Sequence, residues 1–557
     1  MLGMPGLAAY ANGPLELDVV LDGTETYTTT FVDPATGIPI IVNRQFHDTD
    51  QAVINDVGDV LLSATLDRGP GTNGRVDTLF YSPVGDNSGR PIRLIDGLSG
   101  SQIDGQSLGV NSAAEYKLAN DRSFVIDDNG PGRIEIAQSL GSSPMYSIVV
   151  DAADLPPIPI SSNPSTIPPT SPIIGLVAYS GGGDVLFNLS GRTDNDEREI
   201  SALYERTSDG SITRLYGAGD VIDLEGGGQI TLDGAITTIN DSGYAVVQNG
   251  GSGGHRDFPF LTRTPDGKFA ELFKRGDPVP GSTTGANFGE PGFDETSFDI
   301  APDGTVIFSN PLESGTSVVP GGIFRAKIGV PNSIESLVLT GETMIGDTAI
   351  LGLDFDNGNT PTNPRLLGTN GDFAFRYVLD TSDFETGLAK YDALSDSIVP
   401  LLQRGDEIGD SGFTFAGDLN GIDAFDVNAL GQIAMVDDLL DSDGQDRESL
   451  MVFDPTLGWL ALAVEGEELQ STDGTTVTVE DIRAIGGSFQ DGTFNAGLES
   501  GFLSNGGWLT FSIETDNERF YVYRTQLPIP EPSSAILLGA AGLLLTSSRR
   551  RWHRSSR

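Results

Sequence analysis

An all-β fold built from tandem repeats is what the sequence predicts, and three observations predict it. A turn motif followed by a β-rich run recurs eight times, and a second marker follows the central copies at a steady distance. No segment before residue 534 carries a long apolar stripe of helical period.

The first motif is polar turn residues, then Gly, then a β-rich run. It opens as Asn55-Asp56-Val57-Gly58 before Asp59-Val60-Leu61-Leu62. Asn120-Asp121-Arg122-Ser123 before Phe124-Val125-Ile126 is a degenerate copy that lacks the Gly. Gly181-Gly182-Gly183 precedes Asp184-Val185-Leu186-Phe187, and Asn240-Asp241-Ser242-Gly243 precedes Tyr244-Ala245-Val246-Val247. Ala301-Pro302-Asp303-Gly304 comes before Thr305 to Phe308, and Asn370-Gly371 before Asp372 to Phe375. Asn428-Ala429-Leu430-Gly431 comes before Gln432 to Met435, and Asn505-Gly506-Gly507 before Trp508 to Phe511. As far as Gly431 the steps are 60–67 residues, and the final step is longer. Asn, Asp and Gly tolerate positive φ and so make turns, whereas Val, Ile and Phe suit a pleated surface.

The second marker is Gly219-Asp220, Gly276-Asp277, Gly341-Glu342, Gly405-Asp406 and Gly466-Glu467, each 33–37 residues after a Gly of the first motif. Each unit therefore reads as several short antiparallel strands, which must stack radially or linearly to cover both faces. The termini favour the radial solution. The last copy has only Trp508 to Ser512 and Phe520 to Arg524, while Val20-Leu21-Asp22-Gly23-Thr24-Glu25 resembles the second marker ahead of the first Gly copy. The first segment supplies what the last unit lacks, which predicts a β-propeller closed by N- and C-terminal strands, with no exposed sheet edge at the seam. Eight blades are expected, or seven if the degenerate copy is not a blade. Leu155 to Pro172, rich in Pro, lies inside the undisturbed spacing and reads as a rigid loop.

Composition narrows the function. There is no Cys, which excludes disulfides, zinc-thiolate and iron–sulfur sites and cysteine nucleophiles. His47, His255 and His553 are the only imidazoles, too few and too scattered for a clustered His site. A net charge of −47 argues against nucleic acid as a partner. Gly181 to Gly183 and Gly226 to Gly228 lack the Lys and helix of a phosphate loop and read as turns. No cofactor is expected apart from calcium, for which Asp441, Asp443 and Asp446 around Gly444 offer closely spaced carboxylates. A solvated acidic hairpin turn is the plainer reading of the same residues.

The C-terminus carries an address. Ile529-Pro530-Glu531-Pro532 is followed by the apolar run Ala535 to Leu545 and by Arg549, Arg550 and Arg551. The run predicts a short apolar helix, about half of the ~20 residues of a full span. The arginines are expected to flank it on the cytoplasmic side. Proline-glutamate-proline, apolar stretch and basic end together resemble the PEP-CTERM sorting signal of Gram-negative, exopolysaccharide-producing bacteria. That resemblance implies an exosortase as partner, Pro530, Glu531 and Pro532 as the residues it recognises, and delivery to the cell surface or extracellular matrix. Ala9-Tyr10-Ala11 reads like the end of an export signal, so residues 1–12 are expected to be its remnant, with the true start upstream.

The repeat resembles an exported bacterial family with an Asn-x-x-Gly-x-x-Ala-Phe tandem repeat and assorted C-terminal anchors. Asn428 to Met435 fits that pattern with Met for Phe, and Asp372 to Phe375 fits its end. The resemblance covers most of residues 50–512 and implies location and architecture, without an activity. The expected organisation is an export remnant over 1–12, a propeller over 13–527 and a sorting and anchor segment over 528–557. The expected role is non-enzymatic, a surface or matrix module that binds exopolysaccharide or surface proteins. The alternative is a secreted carbohydrate-active hydrolase or lyase with carboxylates at the propeller axis.

Overall fold

The computed structural model describes residues 15–528 with gaps, the longest at 108–115, 156–172, 250–258 and 484–501. The export remnant, most of the proline-rich loop and the sorting segment from 529 onward lie outside the described residues. What is described is all-β: eight antiparallel sheets of four or more strands, plus four small hairpins.

The sheets follow one another along the chain. Sheet 1 holds Thr26–Val32, Pro39–Ile54, Val60–Asp67, Arg75–Ser82 and Ile92–Asp96, and sheet 2 runs from Tyr116–Leu118 to Met145–Asp151. Sheet 3 runs from Ile173–Tyr179 to Ile212–Gly217, and sheet 4 from Ile236–Ile239 to Phe269–Phe273. Sheet 5 is built on Ser297–Ile300, Thr305–Glu313, Gly321–Lys327 and Glu335–Leu339. Sheet 6 is built on Arg365–Leu366, Phe373–Leu379, Thr386–Asp392 and Ser397–Gln403. Sheet 7 is built on Ala424–Val427, Ile433–Leu440, Asp446–Asp454 and Gly458–Val464. Sheet 8 draws on both ends of the chain. Trp508–Thr515 and Arg519–Gln526 are completed by Asp18–Asp22, which pairs antiparallel with the latter from Asp18 opposite Arg524 to Asp22 opposite Tyr521.

Burial explains the strand sequences. Second strands are covered on both faces, so Phe373–Leu379 is buried throughout, and Arg376 alone interrupts its apolar sequence. Outer strands such as Ser397–Gln403 are half exposed and tolerate polar residues.

In sheets 2, 4, 5, 6 and 7 the first motif falls between the first two strands named above, and in sheet 1 between the second and third; in sheet 3 its glycines lie outside the described residues. In sheet 8 it follows Leu503, which bridges to Leu509. The Asn side chain shapes the turn: Asn55 Oδ1 accepts from the amides of Val57 (3.2 Å) and Asp59 (2.9 Å). Asn240 repeats this with Ser242 and Tyr244, and Asn428 with Leu430 and Gln432. The degenerate copy is a full member: Arg122 takes the Gly position at φ 67°, and its guanidinium pairs at 2.9 Å with the buried Asp59 of sheet 1. Left-handed backbone at a non-Gly residue costs about 1–2 kcal/mol.

Each such turn also holds its neighbour. Asn55 Nδ2 donates to Ala119 O in sheet 2 (3.1 Å), Asn240 Nδ2 to Ala301 O in sheet 5 (2.7 Å) and Asn428 Nδ2 to Ser504 O in sheet 8 (3.0 Å). Each acceptor is the residue that opens its turn, three positions before the left-handed residue: Ala119 before Arg122, Ala301 before Gly304 and Ser504 before Gly507. The Gly at the fourth position lets an aromatic ring from the preceding sheet lie against it. A Cβ on Gly304 would come within 2.6 Å of the Tyr244 ring, and one on Gly58 within 2.5 Å of the Trp508 ring. The second of these contacts joins sheet 8 to sheet 1, as does the Gly506 amide donating to Asp56 Oδ1 at 2.9 Å.

The core is divided in the same way, into clusters that each fill the space between two sheets. Six of them join consecutive sheets from 1–2 to 6–7, and a seventh joins 7 to 8. The eighth places Val20, Leu21 and Val522 of sheet 8 against Ala52, Ile54, Leu62 and Phe80 of sheet 1.

The second marker turns the outer strand into the linker toward the next sheet. The Gly amides of 276, 341, 405 and 466 donate to Phe288, Ile350, Phe415 and Val479 O at 2.7–2.9 Å. Asp220, Asp277 and Asp406 each accept from the amide three residues back. Glu342 instead reaches the linker ahead of sheet 5, accepting from Ser282, Thr283 and Thr284. Burial opposes its ionisation, but these hydrogen bonds outweigh it and hold the carboxyl down at about 2. The early segment resembles this marker only loosely. Gly23 does not have a positive φ, and its lack of a Cβ serves close approach to the Phe520 carbonyl.

Candidate functional site

The residues singled out by sequence fare differently. Pro530, Glu531, Pro532, Arg549, Arg550 and Arg551 lie outside the described residues, as do His255 and His553. His47 falls in the strand Pro39–Ile54. Asp441, Asp443 and Asp446 stand at the hairpin turn between the middle strands of sheet 7. Asp441 Oδ1 accepts from the amides of Asp443 (2.8 Å) and Gln445 (2.9 Å), and Oδ2 faces Arg447 at 3.3 Å. Those amide bonds, the Gln445 one foremost, lower its pKa. Among the described residues no group of three or more His, Asp and Glu side chains converges as a metal shell. Gly226 to Gly228 form a turn with φ near 100°.

Charged residues that the sequence reading passed over come together on the first strands of sheets 5, 6 and 7. Asp299, Arg365 and Asp426 lie opposite Ile307, Ala374 and Ala434. The next residues, Ile300, Leu366 and Val427, lie opposite Val306, Phe373 and Ile433, each two positions after a Gly of the first motif. The three charges therefore share one register position, and the three strands adjoin in order. Lys117 occupies it in sheet 2 and Thr238 in sheet 4.

Each carboxylate is tied to the strand beyond it. Asp299 Oδ2 accepts from the Leu366 amide at 2.8 Å, and Asp426 Oδ2 from the Leu503 amide at 3.1 Å. Asp426 Oδ1 accepts from its neighbour Val427 at 2.9 Å. Burial dominates both ionisations: it pushes Asp299 up and carries Asp426 to about 6, against the pull of Arg365 and these amides, with the Asp299 charge adding to the rise at Asp426. Arg365 Nε is shut off from solvent and has no acceptor among the described residues. The faint trace in the sequence is a charged residue inside an apolar strand, Phe298-Asp299-Ile300 and Phe425-Asp426-Val427.

Asp426 gives a test with a defined sign. Its pKa in the fold lies above the ordinary 3.8, so its share of stability is full below that value and is lost as pH rises through about 6. Asp426→Asn keeps a carbonyl for the Leu503 amide and does not titrate. Relative to wild type, the variant gains on the order of 2–3 kcal/mol between pH 4 and 7. Denaturation midpoints of both proteins across that range check this, and parallel profiles would refute it.

The chain belongs to a family of unknown function, DUF7453, whose model matches residues 170–536. No curated protein matches it. Similar solved structures include a puromycin-hydrolyzing peptidase of Mycobacterium tuberculosis, at 12% identity and a TM-score of 0.38, covering 80% of this chain and 56% of that one. This chain thus spans just over half of that peptidase's length. The β-propeller domain of the Trilobed protease from Pyrococcus furiosus is 8% identical with a TM-score of 0.34, covering 88% of this chain and 98% of that one. An alpha-L-arabinanase of Penicillium chrysogenum is 12% identical with a TM-score of 0.29, covering 66% and 99%.

Proposed function

We propose that this chain is an exported binding or structural module, an eight-bladed β-propeller closed by its own two ends. The observation that carries the reading is the contact between sheets 8 and 1, which repeats what joins consecutive sheets: an apolar cluster, a turn-to-turn hydrogen bond and an aromatic ring against a motif Gly. The Pro530-Glu531-Pro532 segment, the apolar run and Arg549 to Arg551 support sorting by an exosortase to the cell surface or matrix, with the C-terminal segment in the membrane on the way. The loops and axial face then meet exopolysaccharide or surface proteins, and the acidic surface gathers divalent cations. Expression in an exopolysaccharide-producing Gram-negative host tests the delivery. The surface fraction should depend on the exosortase and fall with Glu531→Ala, whereas retention in the cytosol would overturn the reading. A glycan array with and without Ca²⁺ tests the binding.

A second reading, a hydrolase or lyase with axial carboxylates, draws support from Asp299 and the raised pKa of Asp426. The two Trp of the body lend it none. Trp459 packs on Phe453 and donates to Leu401 O of sheet 6, and Trp508 lies against Gly58. Release of reducing ends from polysaccharide, lost in Asp426→Asn, would favour this reading.

A further inference from the structure

Resting on the binding-module reading, we infer that Asp299, Arg365 and Asp426 form a recognition site for a carboxylate-bearing sugar, a uronate unit of an acidic saccharide. The argument is one of donors and acceptors. The neighbours of Arg365 at the same register position are carboxylates, and each accepts an amide from the strand beyond. A guanidinium has no lone pair with which to accept and cannot take that role. The Val427 amide on the strand that Arg365 adjoins is satisfied instead by Asp426 Oδ1. Arg365 is left half-buried, and no hydrogen bond or ion pair joins it to any described residue.

The site therefore presents a planar donor whose charge is shared with two flanking carboxylates but whose N–H groups make no hydrogen bond to a described residue. A cation is poorly served here. Arg365 stands between the carboxylates, and three of their oxygen contacts are committed to amides. A planar anion fits better, because a carboxylate takes two parallel N–H bonds from guanidinium. Remaining lone pairs on Asp299 and Asp426 accept hydroxyls on either side of that anion, which points to a sugar acid rather than a bare anion.

Titration calorimetry of the full chain with a galacturonate trimer and a neutral galactose trimer tests the site. The acidic trimer should bind at least about tenfold more tightly, and Arg365→Met should remove that margin while leaving the neutral trimer unaffected. Arg404→Met, at an exposed arginine, controls for loss of charge, and thermal unfolding controls for folding. Binding of the acidic trimer that survives Arg365→Met would overturn the axial assignment and leave the binding-module reading standing. Failure of both trimers to bind would overturn the assignment too, and the glycan array would then decide the broader reading on its own.

Discussion

Arg524→Met is expected to destabilise the protein by about 3–5 kcal/mol, the usual cost of removing one partner from a buried charge network. Arg524 lies in the strand that pairs with Asp18–Asp22 and is fully buried. Its guanidinium donates to Gly58 O and Ser82 O at 3.2 Å and to Asp86 O at 3.0 Å, all in sheet 1 or its turns, and its Nε lies 3.6 Å from Asp18 Oδ2. Burial lowers its pKa, against the pull of Asp18, and an arginine remains charged in spite of this. One side chain therefore ties the N-terminal strand, the C-terminal strand and the first sheet together. The methionine fills space but leaves three carbonyls without their donor and Asp18 without its ion-pair partner. Asp18→Asn should cost much less, because it disturbs only the longest of these contacts. Denaturant titration measures both variants, and a change within about 0.5 kcal/mol for Arg524→Met would show that the seam does not depend on it.

The second large effect lies between sheets 4 and 5. Phe308 is fully buried, with ring centroids 5.2 Å from Phe273, 5.5 Å from Phe298 and 5.2 Å from Phe324. Phe260 and Phe288 extend the stack. Phe308→Ala should cost about 3–5 kcal/mol, because a rigid aromatic stack cannot collapse into the space left behind. Leu394→Ala, at a residue 96% exposed, should change stability by less than about 0.5 kcal/mol. Equal effects of the two substitutions would contradict the packing described.

The repeat was legible because turn chemistry and β-propensity are local. A Gly at positive φ and an Asn that binds its own backbone leave a mark in four or five residues. The structure adds that the Asn of one turn also reaches the next sheet, and that Arg122 serves where Gly is missing. Pairing of the two ends was legible too, since the last unit ended short and Asp18–Asp22 fills the gap. The charges on the first strands of sheets 5, 6 and 7 were not. Asp299, Arg365 and Asp426 are separated by 66 and 61 residues, and only the shared register brings them onto neighbouring strands. Among 79 acidic residues, two inside short apolar strands do not stand out by composition. At Asp441, by contrast, the chemistry of the turn is local. The carboxylate that opens this tight hairpin gives one oxygen to the turn's own amides and the other to Arg447.

Cross-linking the two ends tests the central claim most directly. The pairing of Asp18 with Arg524, continued by two residues, sets Glu16 opposite Gln526, both exposed. Opposed residues on antiparallel strands have Cα atoms about 4.5–5.5 Å apart, within disulfide range. In a chain without other cysteines, Glu16→Cys with Gln526→Cys should oxidise to an intramolecular bridge in the monomer and raise the unfolding midpoint. Free thiols after oxidation, or bridges formed only between molecules, would show that the two ends do not meet.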